Sequence, residues 1–359
     1  MNIVHSQSIV HNLKMTQDLV GIQEIAEMAG VTRAAVANWR TRFKKFPAPV
    51  VELASGPVFQ RSDVRRWLKK RKNKMATIIS TINLKGGVGK STTTVAMAEF
   101  LSAELGQKVL VIDLDPQTNA SVMLIGDAKW DELNKKGATL AQLFKDALLE
   151  DPSKATFDLD EALVRRASNV DAVRTVDLLA SSIDLIDVQD RLATMPTGQF
   201  FANNPTEVLR RATKPIIDNY DYVLIDCPPN LGLITLNGLR ISDGYIIPTI
   251  PDVLSTYGIP QIVTRVAKFA KTISETIEPL GIVVSKYREQ STVHRNTLAR
   301  LRSVADPRVF ETVIKENDQI AGSAEFKDVS TLRQKYGYQG QYNSYLALAN
   351  ELVAAVALA

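Results

Sequence analysis

Between residues 76 and 330 the chain carries a succession of short apolar runs separated by stretches of helical period. TIISTINL (77–84), KVLVID (108–113), DYVLID (221–226), GYIIPTIP (244–251) and PLGIVVSKY (279–287) are short and apolar at consecutive positions. Consecutive apolar positions, unlike alternating ones, describe strands covered on both faces. Residues 91–105 repeat apolar positions at helical spacing, with Ala96, Phe100 and Leu101 inward. The pattern predicts an α/β fold, a doubly wound and mostly parallel sheet with helices on both faces. The C-terminal NSYLALANELVAAVALA predicts a helix whose stripe Leu346, Ala349, Leu352, Val353 and Val356 docks on the core.

The first 75 residues follow a different rhythm. In IQEIAEMAGVTRAAVANWRTRF (22–43), Ile22–Ala29 reads as a helix with Ile22, Ile25, Ala26 and Ala29 on one face. Gly30 suits a helix C-terminus that needs positive φ, and Thr32 can cap a second helix from about Arg33 to Arg42. Val36 and Trp39 point inward on it, which leaves Arg33, Ala34, Ala37, Asn38 and Arg40 outward. This is a helix-turn-helix pattern, whose second helix is the one that enters a major groove. Val50–Leu53 and Val58–Phe59 flank a Ser55-Gly56-Pro57 turn, as in a hairpin or wing, and Ser62 or Asp63 starts a helix that runs into the basic stretch Lys69–Lys74. The whole resembles the winged helix-turn-helix of the MerR and excisionase type; the alternative is a plain helical hairpin used for dimerisation. On the DNA reading, Arg33, Asn38, Arg40 and Arg42 lie on or beside the recognition face.

Charge sharpens that division. The net charge of the 359 residues is +4, but residues 1–75 hold 14 Lys+Arg against 5 Asp+Glu, and the remainder 29 against 34. A local basic excess suits a nucleic-acid-binding module joined to an acidic domain, although a solubilising tail would show it too. Two domains are therefore expected, 1–75 and 76–359. A single cysteine, Cys227, excludes a disulfide framework and a four-cysteine cluster within the chain, and His5, His11 and His294 have no ligand spacing. No apolar run reaches membrane-spanning length, and MNIVHSQSIVHNLKM is too polar for a signal peptide. A cytoplasmic protein is expected.

The chemistry lies in KGGVGKST, residues 85–92. A strand, a glycine-rich turn and a helix N-terminus make an anion site, because backbone N–H groups converge there and the helix dipole favours negative charge. Lys90 would reach the β- and γ-phosphates of a nucleotide, and the Ser91 hydroxyl would ligate Mg²⁺. Asp113 and Asp115 close the strand 108–113 and its turn, where carboxylates can orient water or hold Mg²⁺-bound water.

The loop departs from G-x-x-x-x-G-K-[ST], because residue 84 is leucine and the order is K-G-G-x-G-K-[ST]-T. That is the deviant Walker A motif, and with D-x-D-P-Q at 113–117 and DYVLIDCPPN at 221–230 the chain resembles the ParA/MinD family of P-loop ATPases over roughly residues 76–330. Thr118-Asn119 stands where the family usually has Gly-Asn, and residues 121–175 match only loosely. The resemblance implies ATP and ADP with Mg²⁺ as cofactors, held by Lys85, Gly86, Gly87, Val88, Gly89, Lys90, Ser91 and Thr92. It implies that Lys85 reaches across an ATP-dependent homodimer to the partner's phosphates, that Asp115 positions the attacking water, that Asp113 flanks the nucleotide and that Asp226 holds Mg²⁺ through water. It sets Pro251, Asp252 and Ser285 around the adenine. It also implies nonspecific DNA binding through basic residues after the last of these strands, for which Lys286, Arg288, Arg295, Arg300 and Arg302 are candidates, a solvated helix face being the alternative. An iron–sulfur function lacks cysteines, and a membrane-anchoring function lacks a basic face on the C-terminal helix. With its N-terminal module the chain is most similar to the larger ParA-type DNA partition ATPases, which are nucleoid-associated, bind their own operator and are stimulated by a centromere-binding ParB-type protein. The runner-up is a nucleotide-switched transcriptional regulator.

Overall fold

The computed structural model describes residues 19–29, 33, 36, 40, 46–53, 56–72, 76–193, 204–304 and 306–358. The chain divides into two compact units, Met1–Met75 and Ala76–Ala359.

In the first unit, strand β1 (Leu19–Val20) pairs antiparallel with β3 (Gly56–Gln60), which pairs antiparallel with β2 (Val51–Leu53). The β2–β3 hairpin closes at Leu53↔Gly56. Gly56 takes a φ of 121°, which a side chain would strain. Helices α1 (Ile22–Ala29) and α2 (Arg61–Lys72) contribute to a small core of Val20, Ile25, Ala26, Val36, Phe59, Val64 and Leu68. Phe46 packs edge-on between Phe59 and Trp67. Arg33, Val36 and Arg40 are helical; Gly30, Thr32, Asn38, Trp39 and Arg42 lie outside the described residues.

The second unit is built on an eight-stranded sheet. Its strands are β4 (Thr77–Thr81), β5 (Val109–Asp113), β6 (Leu163–Val164), β7 (Val176–Leu179), β8 (Tyr222–Asp226), β9 (Gly244–Thr249), β10 (Glu278–Tyr287) and β11 (Val309–Lys315), in the order β11-β10-β9-β4-β8-β5-β7-β6. Every pairing is parallel except β6 with β7 at the edge. The sheet is covered on both faces, and the alternation along each strand decides which core a side chain joins. Val109, Val111, Leu224 and Val283 belong to one apolar cluster. Their neighbours Leu110, Ile112, Val223, Ile225, Ile282 and Val284 belong to the other.

The helices used below are α3 (Lys90–Ala103), α4 (Asn119–Lys135), α5 (Val253–Tyr257), α6 (Ile259–Thr272), α7 (Thr292–Val304) and α8 (Gln341–Leu358). Strand β4 is shorter than the expected 77–84, because Ile82, Asn83 and Leu84 already lead into the loop. The α8 stripe is corrected by one helical step. Tyr342, Tyr345, Leu348, Ala349, Leu352 and Ala355 are buried, while Leu346, Val353 and Val356 pack at the margin. The aromatic residues shift the stripe: Phe100 of α3 lies 5.3 Å from Tyr342 and 5.9 Å from Tyr345, between ring centroids. Burying large rings outweighs aligning small aliphatic side chains.

Candidate nucleotide-binding site

Strand β4 lies between β9 and β8, so the loop that leaves its C-terminal end emerges at the middle of the sheet. In open α/β sheets this is where ligands bind. Asn83 fixes the start of the loop: its Nδ2 donates to Pro248 O at 2.8 Å and its Oδ1 accepts the Lys85 amide at 2.9 Å. Gly87 and Gly89 take φ values of 74° and 83°, left-handed conformations that only glycine adopts cheaply. A Cβ added at Gly86 or Gly87 meets no protein atom within 4 Å, so the loop faces open space there. Helix α3 starts at Lys90 without a side-chain cap. Its first-turn amides therefore face the loop unclaimed by a capping side chain, as phosphate binding requires. Lys90 is buried, and Ser91 and Thr92 are half-buried in the same turn.

Three carboxylates crowd beneath this turn. Asp113 and Asp226 are register partners on β5 and β8, and both are fully buried. Asp113 accepts hydrogen bonds from the Ser121 amide (2.8 Å), the Ser121 hydroxyl (2.7 Å) and the Asp115 amide (3.0 Å). Burial nevertheless pushes it up to about 7, against the pull of those donors. Burial also raises Asp115, opposed by the Gln117 amide on its Oδ1 and by the charge of Lys90.

Asp226 is the exceptional group. Neither of its oxygens has a hydrogen-bond partner among the described residues. Burial, and then the neighbouring Asp113, hold its carboxyl well above the ordinary range; the nearby Ser91 hydroxyl pulls the other way without meeting either oxygen at bonding geometry. A buried acid without partners is costly unless something else completes it. Among the described residues no group of three or more His, Cys, Asp and Glu is disposed to chelate a metal directly. A water-rich Mg²⁺ bound mainly by phosphate oxygens and Ser91, with Asp226 receiving hydrogen bonds from its water ligands, fits this donor set. Cys227, next to it, is buried and its thiol is pushed up by that burial.

Lys85 stands at the rim. Its ammonium donates to Ser255 Oγ at 2.8 Å and pairs with Asp252 Oδ2 at 3.5 Å. Asp252 caps α5 by accepting the Ser255 amide at 2.7 Å and accepts the Ser255 hydroxyl at 2.8 Å. Burial alone would raise Asp252, but those Ser255 donors and Lys85 outweigh it and hold the carboxylate below its ordinary value. Pro251 is buried beside it. Beyond Asp252, Val253, Leu254 and Tyr257 of α5 are exposed.

Two of the residues expected to make ligand contacts touch the phosphate loop. Ser285 is buried under the phosphate loop, where its hydroxyl donates to Val88 O at 2.7 Å and lies 3.3 Å from Thr249 O. Lys286, a DNA candidate by sequence, donates to Gly87 O at 2.8 Å. Of the other basic candidates, Arg288 pairs with Glu316 and Arg302 with Glu311. Arg295 donates to Glu289 O and Thr292 Oγ1, and Arg300 is exposed on α7. In the N-terminal unit Arg33 is exposed, whereas Arg40 pairs with Glu52 at 3.0 Å and lies over the Phe59 ring. Sequence reasoning missed Asn83, Ser121 and Ser255. Only Ser255 left a trace, three residues after Asp252 at the spacing of a helix cap.

The family model described as an AAA domain matches residues 76–279. The chain is 30% identical over 278 residues to the chromosome-partitioning ATPase Soj of Thermus thermophilus, covering 77% of this chain and 96% of that protein. Among solved structures, cobyrinic acid a,c-diamide synthase from Mycobacterium smegmatis with bound ADP and magnesium aligns at a TM-score of 0.58 and 25% identity, over 78% of this chain and 94% of that one. A Cyanothece McdA variant in complex with ATP shares the fold at a TM-score of 0.62 and 22% identity, over 78% and 97%.

Proposed function

This chain belongs to the ParA/MinD-type P-loop ATPases, whose cofactors are ATP or ADP and Mg²⁺, and from that membership we propose that it is a DNA-partition ATPase. It pairs on binding ATP, hydrolyses ATP when stimulated by a centromere-binding partner of ParB type, and binds DNA. The bound Mg-nucleotide supplies the scissile phosphoanhydride and part of the charge neutralisation. The residues of the chain do the rest. The α3 amides and Lys90 bind phosphate, Ser91 and Asp226 hold the metal and its water, and Asp115 orients the attacking water. Asp113, buried and tied to Ser121 and to the Asp115 amide, keeps that turn in place.

One observation carries this reading. Lys85 is 41% exposed at the rim of the site, and its ammonium is held by Asp252 and Ser255, not by a carbonyl of its own loop. A second cation in that place can serve a neighbouring protomer in the way an arginine finger does. Lys90→Ala is expected to weaken Mg-nucleotide binding itself. Lys85→Ala is expected to retain it, yet to lose ATP-dependent pairing and about 10³-fold in turnover, the size of an arginine-finger deletion. When the two variants are mixed, one composite site in each mixed dimer has both lysines intact, so turnover should partly return. Mixed dimers that form but stay inactive would refute trans action.

The N-terminal unit is read as an operator-binding winged helix-turn-helix, and Arg295 and Arg300 as part of a nonspecific DNA surface. The β2–β3 hairpin and the exposed Arg33 support the first reading. The ion pairs of Arg288 and Arg302 leave fewer free cations for the second. ATP turnover measured with and without nonspecific DNA and the centromere-binding partner separates a partition ATPase, which is stimulated, from a nucleotide-switched repressor, which is not.

A further inference from the structure

The end of β10 is built in a way that its hydrophobic pattern does not require. From Ile282 to Val284 the strand alternates: Val283 joins the cluster that contains α3, while Ile282 and Val284 join the opposite one. Continued alternation would turn Ser285 toward the phosphate loop and Lys286 away from it. The pairing with β11 shifts between Ile282 and Val284 and again between Val284 and Tyr287. Val284 lies opposite Val313 but Tyr287 lies opposite Lys315, three steps on one strand against two on the other. Lys286, within the slip, has a φ of 49°, a left-handed conformation that a lysine rarely adopts. Bulges of this kind re-aim side chains beside functional sites.

Here the bulge lets two consecutive side chains reach the same loop. The Ser285 hydroxyl donates to Val88 O at 2.7 Å, and the Lys286 ammonium donates to Gly87 O at 2.8 Å. In a trans peptide the carbonyl and the following N–H point in opposite directions. Fixing the Gly87 and Val88 carbonyls from β10 therefore turns the Val88 and Gly89 amides the other way, toward the concave side of the loop. Ser285 also lies 3.6 Å from the position of a Cβ at Gly89, so it supports the loop by contact as well.

We infer that Ser285 and Lys286 are positioning residues for nucleotide binding, which hold two peptides of the phosphate loop so that their N–H groups converge on phosphate. The inference rests on Mg-nucleotide binding by the family. It is independent of dimerisation, DNA binding and partition, so its failure leaves those readings untouched.

The test is direct binding of a fluorescent ADP analogue with Mg²⁺, and its displacement by inorganic pyrophosphate, which has no base. Melting of the nucleotide-free protein reports folding of each variant. Ser285→Ala should weaken both ligands by the same factor, about tenfold for one buried hydrogen bond. Lys286→Met should weaken both about threefold, less because this contact is exposed. Lys286→Arg and Ser285→Thr keep a donor and should stay near wild type. Lys286→Gly relieves the backbone conformation but loses the donor, and should bind like Lys286→Met. The inference is overturned if Ser285→Ala and Lys286→Met bind both ligands within twofold of wild type, whatever their melting temperatures. It is equally overturned if Ser285→Ala weakens the ADP analogue alone, which would make Ser285 a base contact.

Discussion

Helix α3 has a buried polar cluster near each end, and the two obey opposite rules. Toward its C-terminal half, Glu99 accepts Lys335 Nζ at 2.8 Å and Ser168 Oγ at 2.7 Å on one oxygen, and the Tyr336 hydroxyl at 2.7 Å on the other. Lys335 continues to Asn169 Oδ1 at 2.7 Å. Both carboxylate oxygens of Glu99 are engaged, and neither Glu99 nor Lys335 appreciably meets solvent. Around the first turn of α3, Asp226 is as deeply buried, but neither of its oxygens has a hydrogen-bond partner among the described residues. The same helix thus shows what satisfied and unsatisfied polar burial mean. A completed network ties α3 to the segment that precedes α8, and an incomplete one marks where a ligand finishes the structure.

The largest effect should come from breaking the completed network. Lys335→Met strands the Glu99 charge and should cost about 3–5 kcal/mol in urea unfolding of the nucleotide-free protein. Glu99→Gln combined with it should recover part of that loss, because no bare charge remains. Nucleotide affinity of the folded fraction should not change, which is what separates this cluster from the other.

This contrast also explains what could be read from the chain. The loop 85–92 and the runs 108–113 and 221–226 are local patterns, and each set its own strand, turn and helix start. Asp113, Asp115 and Asp226 each lie at or just after the end of an apolar run, and the roles expected of them come from the resemblance to the ParA/MinD motifs. The Glu99–Lys335 pair joins residues 236 apart, with nothing local to either to announce it. The brace at Ser285 and Lys286 was hidden for another reason: a strand read with period 2 sends those neighbours to opposite faces, and only the bulge brings them together. Lys286 is an exposed cation, and the left-handed backbone that aims it at Gly87 O is invisible in composition.

The incomplete cluster should answer the mirror-image test with a smaller effect. Asp226→Asn copies the shape of the protonated acid that burial already favours, so melting of the nucleotide-free protein should hold or rise. The strengthening of nucleotide binding by Mg²⁺ should fall about 10- to 100-fold, as when an outer-shell metal partner is removed. A variant that loses stability without nucleotide and keeps the Mg²⁺ effect would place Asp226 with Glu99, as a structural group.

The smallest effect belongs to the contact that is neither buried nor bare. The Lys85–Asp252 pair is partly exposed, and such pairs contribute about 0–1 kcal/mol. Asparagine keeps an oxygen to cap α5. Asp252→Asn should therefore cost less than about 1 kcal/mol. The sign of its pH dependence follows from the depressed carboxylate. A group whose folded value lies below its unfolded value stabilises the fold above the unfolded value, and loses that contribution as pH falls through the folded one. The difference between wild type and variant should then be flat from about pH 5 to 8 and shrink on acidification below the ordinary carboxylate value of 3.8. A difference that grows on acidification would contradict the pairing. Since the charge of Asp252 does not change near neutral pH, proton uptake there does not free Lys85. Removing the carboxylate leaves only Ser255 to hold it. ATP-dependent pairing in Asp252→Asn, followed by sedimentation, should consequently need no more protein than in wild type, whereas a requirement for more would mean that Asp252 helps to present Lys85 and does not restrain it.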